Sequence, residues 1–78
     1  MPKTPVVSGR DMVRILERLG YVVHGQRGSH VGLEHPTLGI KIAVPVHGNR
    51  PLRTGTCDSI MKQAGLTPDD LRRLLARR

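Results

Sequence analysis

Tyr21-Val22-Val23-His24-Gly25-Gln26-Arg27-Gly28-Ser29-His30-Val31-Gly32-Leu33-Glu34-His35, continuing Pro36-Thr37-Leu38-Gly39-Ile40-Lys41-Ile42-Ala43-Val44-Pro45, is the stretch that decides the fold. Tyr21 to His24 opens a β-prone run, and Gln26-Arg27-Gly28 reads as a turn. Ser29 to His35 reads as a second strand. Val31 and Leu33 fall on one face of it and His30, Gly32 and Glu34 on the other, because strand side chains alternate. Pro36 to Gly39 makes a hairpin turn. Ile40, Ile42 and Val44 then alternate with Lys41 and Ala43, the pattern of a half-buried third strand, which Pro45 ends.

Helical signals flank this β region on both sides. Ser8 is placed as an N-cap, with Asp11 three residues later in capping-box position. Met12, Ile15, Leu16 and Leu19 follow the spacing of one helical face, and Gly20 suits the stop. After a basic loop over residues 46–53 the helical period returns at Thr54, with Cys57, Ile60, Met61 and Ala64 on one face and Gly65 after them. Thr67-Pro68-Asp69-Asp70 signals a further short helix: Thr as N-cap, Pro at the first position, acids in the first turn. Leu71, Leu74 and Leu75 are its apolar stripe, and it ends in Arg77-Arg78. The order helix, three antiparallel strands, helix, short helix predicts an α+β fold with the helices on one face of the sheet. Residues 1–7, with two prolines, read as a loose lead-in to a single domain over 8–78.

Composition narrows the partners. A chain of 78 residues buries only about 60–65% of its unfolded surface. Without Trp or Phe, and with Tyr21 the one aromatic, its core must be Leu, Ile, Val and Met. The same shortage argues against a surface that stacks single-stranded bases on aromatic rings. Thirteen Lys and Arg against six Asp and Glu give a net charge of +7 and a sequence pI ≈ 11.2, which favours a polyanionic partner, nucleic acid or an acidic protein. The lone Cys57 permits no internal disulfide. No leader pattern or membrane-length apolar run is visible, and a cytoplasmic protein is expected.

All four histidines lie between positions 24 and 47. Their spacings of six, five and twelve lack the close ligand pairs of a zinc site, so neither a metal nor a small-molecule cofactor is expected. Ser29 and His30 are neighbours whose side chains would point to opposite faces, which disfavours a Ser–His nucleophile pair. Gly28 and Ser29 are assigned to the turn instead. What remains is proton transfer by one histidine. RNA carries its own nucleophile, the 2′-hydroxyl; an enzyme that cuts it needs a base, for which imidazole is suited, and cations to stabilise charge on phosphate oxygens. Parity puts His30 on the open side of the sheet and Lys41 with it. Arg27 is adjacent in sequence, and Arg50 and Arg53 lie in the basic loop, so Arg27, Lys41, Arg50 and Arg53 are the candidate phosphate contacts. His24 shares the outward parity if Tyr21 and Val23 point inward, although Val22 competes for that place. His35 and His47 read as structural or solvated. From spacing alone His30 stays open between a catalytic base and an ordinary exposed histidine.

Several pieces of the chain occur together in a known family. Ser8-Gly9-Arg10-Asp11, Leu16 to Gly20 with Tyr21, Gly28-Ser29-His30, Val44-Pro45-Val46-His47, and Gly55-Thr56 with Ile60 and Lys62-Gln63-Ala64-Gly65-Leu66 stand in family order over about residues 8 to 66. In these the chain resembles the HicA toxins of type II toxin–antitoxin modules. The resemblance implies a double-stranded-RNA-binding-domain-like fold, a ribonuclease that cleaves mRNA, His30 as the active-site residue, and a HicB-type antitoxin as partner. Gly32, where a larger side chain is expected, Cys57, where Leu is common, and the helix from Pro68 depart from the family pattern. A non-catalytic double-stranded-RNA binder of the same fold and a module whose cationic face meets an acidic protein are the other readings.

Overall fold

The helices form where their start and stop signals stand. In the first, α1 (Gly9–Arg18), the Ser8 hydroxyl accepts from the Asp11 amide at 3.0 Å, satisfying one of the amides that a helix start leaves without an internal partner. Met12, Ile15 and Leu16 of this helix are buried, while Leu19 packs at the edge of the core. A computed structural model describes residues 4–77; of the expected lead-in, residues 1–3 lie outside the described residues, as does Arg78. The lead-in is not loose throughout. Val7 is buried, its carbonyl accepts from the Leu52 amide at 2.8 Å, and Thr4 Oγ1 donates to Asp58 Oδ1 at 2.9 Å.

The three strands β1 (Val22–Arg27), β2 (His30–Glu34) and β3 (Lys41–Pro45) pair antiparallel in the order β1-β2-β3. Val31 stands opposite Val44 and Leu33 opposite Ile42, and all four are buried on the inner face. Helix α1 crosses all three strands on that face, and α2 (Thr54–Ala64) packs against β3, contributing Cys57, Ile60 and Met61 to the core. The core thus buries the apolar face of each element and, among the described residues, leaves the other sheet face without a helix. This is the expected α+β architecture, α-β-β-β-α with the one-sided layering of a double-stranded-RNA-binding domain. The short third helix, α3 (Pro68–Ala76), is added to it. Thr67 and Asp70 close a reciprocal capping box at its start, fully buried Leu71 joins the core, and Arg18 Nη1 donates to the Leu74 carbonyl at 3.3 Å.

The strand boundaries differ from the sequence reading at the first hairpin. Strand β1 runs on through Gln26 and Arg27, so the turn is Gly28-Ser29, not Gln26 to Gly28, and β2 begins at His30 and ends at Glu34. Arg27 pairs with His30 across this two-residue turn. Gly28 has φ +56°, and a glycine in that region at the first turn position matches the right-handed twist of the flanking strands. Strand β3 starts at Lys41 rather than Ile40 and includes Pro45, which pairs with His30 as the last residue of an edge strand, a place where a missing amide costs no ladder bond.

The register of β1 is broken once. Val23 stands opposite Leu33, but Gly25 stands opposite Gly32, so the strand carries an extra residue at His24. Simple alternation from Val23 would turn Gly25 and Arg27 toward the helices. The bulge resets the parity, so that Gly25 and Arg27 join Gly32 and His30 on the open face.

Candidate active site

The open face is built by β2 first. Because Val31 and Leu33 are held in the core, His30, Gly32 and Glu34 face away from it. The partners of these residues set the rest of the face: Arg27 and Pro45 flank His30, Gly25 and Ala43 flank Gly32, and Val22 and Lys41 flank Glu34. Directly opposed strand residues have β-carbons about 5 Å apart, so the Arg27 guanidinium and the His30 ring serve one spot. A shallow depression over that spot is lined by His24, Gly25, Gln26, Arg27, His30, Gly32 and Ala43. Its floor is Gly25, Gly32 and Ala43, where the sheet backbone lies almost bare. The place of Gly32, which departs from the family pattern, is therefore at the centre of this floor.

The predicted turn residues hold His30 through the main chain. Gly28 gives the hairpin its tight reversal, and its carbonyl accepts from Gln26 Nε2 at 3.0 Å. Ser29 acts by its carbonyl, which accepts from the Val46 amide at 2.6 Å, and so fastens the turn to the segment following β3. Helix α1 backs the same corner. The α-carbon of Gly9 comes so close to Pro45 that a β-carbon there would lie 2.1 Å from the Pro45 carbonyl oxygen.

The cations fall into two groups. His47, Arg50 and Arg53 surround a second depression with Pro45, Pro51, Leu52 and Thr56, beside the start of α2. No acidic residue stands in the first turn of that helix, and its N-cap is Arg53 with no side-chain cap, so its amides add to the positive potential. Pro45 joins the two depressions, being both the partner of His30 and part of this second wall. Lys41 shares the open face but sits opposite Glu34, four residues from His30 along the strand, or about 14 Å at the usual rise. Arg27, Arg50 and Arg53 thus gather around one end of the sheet, and Lys41 marks the other.

Two histidines take separate roles. His35 is structural: its ring meets Tyr21 edge-on with centroids 5.1 Å apart, and its Nδ1 accepts from the Thr37 and Leu38 amides at 3.3 and 3.2 Å. His24 lies on the open face, with Nε2 3.2 Å from Glu34 Oε1. Sequence parity left its orientation undecided because Val22 competes with Val23 for the inward place; Val23 stands opposite buried Leu33, which turns His24 outward. The bulge that brings Arg27 to the same face had one sign in the chain, a glycine inside a strand pattern. Burial, then neighbouring Asp58, pushes the Cys57 thiol up, and hydrogen bonds from Thr67 hold Asp70 low. Among the described residues no three His, Cys, Asp or Glu side chains gather as metal ligands would, and no helix is long and apolar enough to cross a membrane.

The family described as HicA toxin of bacterial toxin–antitoxin systems matches residues 9–66. The chain belongs to the HicA toxin family. The match spans α1 through the end of α2, including the whole sheet, the hairpin turn and the basic loop, and leaves α3 outside. Membership in HicA makes the chain the toxin of a toxin–antitoxin pair, and so a protein with an antitoxin partner. No curated protein matches the chain.

Proposed function

We propose that this HicA toxin is a metal-independent endoribonuclease that cleaves mRNA, with His30 as its proton-transfer residue. The observation that carries the reading is the register pair Arg27–His30 on the bare face of the sheet, a proton acceptor and a fixed cation over a depression open to a backbone phosphate. His30 takes the proton of the 2′-hydroxyl, and Arg27 stabilises the charge that develops on the phosphate oxygens. Arg50 and Arg53 hold the strand where it passes the start of α2, and Lys41 takes a phosphate farther along the open face. A HicB-type antitoxin then inhibits the toxin by covering this basic surface.

The test is cleavage of RNA by the purified protein in EDTA, compared with His30→Ala. Cleavage in EDTA by the parent and a loss of roughly 10²–10⁴-fold in the variant are expected. A variant that cuts as fast as the parent sinks the assignment of His30. Salt-sensitive binding with no products would instead mark a non-catalytic double-stranded-RNA binder, a reading disfavoured by the β2–β3 turn, Pro36 to Gly39, which carries no cation.

A further inference from the structure

Cleavage by the 2′-hydroxyl needs two proton transfers, and His30 supplies one. The open face holds a second histidine at the right kind of place. The bulge puts His24 on the same face as Arg27 and His30, and all three line one depression. Ideal strand spacings, between two and three residues along because His24 is the bulge residue beyond Gly25, and one strand across, separate the α-carbons of His24 and His30 by roughly 10 Å. Between them the floor is glycine and alanine, and a β-carbon built on Gly25 would meet nothing within 4 Å, so a phosphodiester can lie there with one ring on each side. Glu34 Oε1 stands 3.2 Å from Nε2 of His24, whose side chain is still 63% exposed. A carboxylate at one ring nitrogen orients the imidazole and leaves Nδ1 for proton exchange with a substrate.

We propose that His24 is the general acid of the reaction and Glu34 its positioning residue; the assignment rests on the ribonuclease reading above. His30 accepts the 2′-hydroxyl proton as the 2′-oxygen bonds to phosphorus. The bond from phosphorus to the 5′-oxygen breaks, and His24 gives that oxygen its proton. The products are a 2′,3′-cyclic phosphate and a 5′-hydroxyl end, with His30 left protonated and His24 neutral until water exchanges the protons back. The charged and titratable groups facing His24 are Glu34 and His30 from β2, Lys41 from β3 and Arg27 from its own strand.

The experiment compares two oligonucleotides of one sequence, the natural RNA and the same RNA with sulfur replacing the bridging 5′-oxygen at the cleaved linkage. A thiolate leaves without help from an acid. His24→Ala is expected to slow cleavage of the natural RNA roughly 10²–10⁴-fold, and to slow the sulfur-containing RNA at least ten times less. His30→Ala slows both alike. Glu34→Gln shows the same selective defect as His24→Ala in milder form and shifts the alkaline limb of the pH–rate profile. Equal slowing of both substrates by His24→Ala, or slowing of neither, overturns the assignment. A parent protein that cuts neither substrate removes the ribonuclease reading, and this assignment falls with it.

Discussion

Two glycines near the candidate site are required for opposite reasons. Gly28 is required for its backbone angle: φ is +56°, and no atom would crowd a β-carbon there. Gly9 is required for space, since its β-carbon would collide with the Pro45 carbonyl. Alanine at Gly9, the first residue of α1 after the Ser8 cap, would gain less helix propensity than the about 1 kcal/mol it is worth in a helix interior, but main-chain atoms must move to admit it, and overpacking of this kind costs about 1–3 kcal/mol. Gly9→Ala is therefore expected to lower the urea midpoint and, by shifting the strand end paired with His30, to lower RNA cleavage as well. A rise in the midpoint would refute the close approach. Residue by residue, His30 and Lys41 could be placed on the open face from alternation alone, because β2 and β3 keep strict parity. Arg27 could not, since its face depends on an extra residue three positions earlier. The need for Gly9 was equally hidden, because its contact lies across the chain at Pro45.

Among the elements, the three helices and the last two strands are legible in the chain, for their signals are local: caps, period and stop residues. The first strand is legible only at its start, from Tyr21 to His24. All six of its residues are exposed, so no alternation of apolar and polar residues records it, and Gln26-Arg27-Gly28 looks like a turn until the pairing with β2 is known. The start of α3 is the element whose acid response is most specific. Asp70 is held below its ordinary value of 3.8 by the backbone and side-chain hydrogen bonds of Thr67, with Arg73 adding to the effect. A lowered carboxyl favours the folded state above the unfolded value and loses that contribution as pH falls through the folded one. Asp70→Asn is thus expected to melt at a lower temperature than the parent at pH 5, with the difference closing below about pH 3.8. A difference independent of pH would assign the capping effect to something other than the charge. Loss of the Thr67 cap by substitution with Ala costs about 1 kcal/mol on the usual scale.

For the molecule as a whole, the excess charge has a direction. Arg27, Arg50 and Arg53 gather at one end of the sheet, so binding of RNA should weaken with salt in proportion to the phosphates they hold. On single strands each phosphate contact contributes about 0.7 to the slope of log affinity against log salt. Measured in a His30→Ala background, expected on the proposed function to slow cleavage of the RNA, Arg50→Ala and Arg53→Ala should each reduce that slope by about 0.7. An unchanged slope would place the RNA path elsewhere on the surface. Sequence composition announced a polyanionic partner, but it could not say where the cations meet. That placement depends on long-range closure: Val7 to Leu52, Ser29 to Val46, and α1 against Pro45.

The bond from the Val46 amide to the Ser29 carbonyl has a mechanical meaning. It is one hydrogen bond, 2.6 Å long, yet it bolts the hairpin that carries His30 to the segment that leads into Arg50 and Arg53. On the proposed function, the cutting jaw and the gripping jaw therefore share a hinge pin. Any force that pulls the loop outward is delivered to the reversal beneath His30. An inhibitor could disarm such a tool from its handle, by prising at residues 46–53, without ever touching the blade.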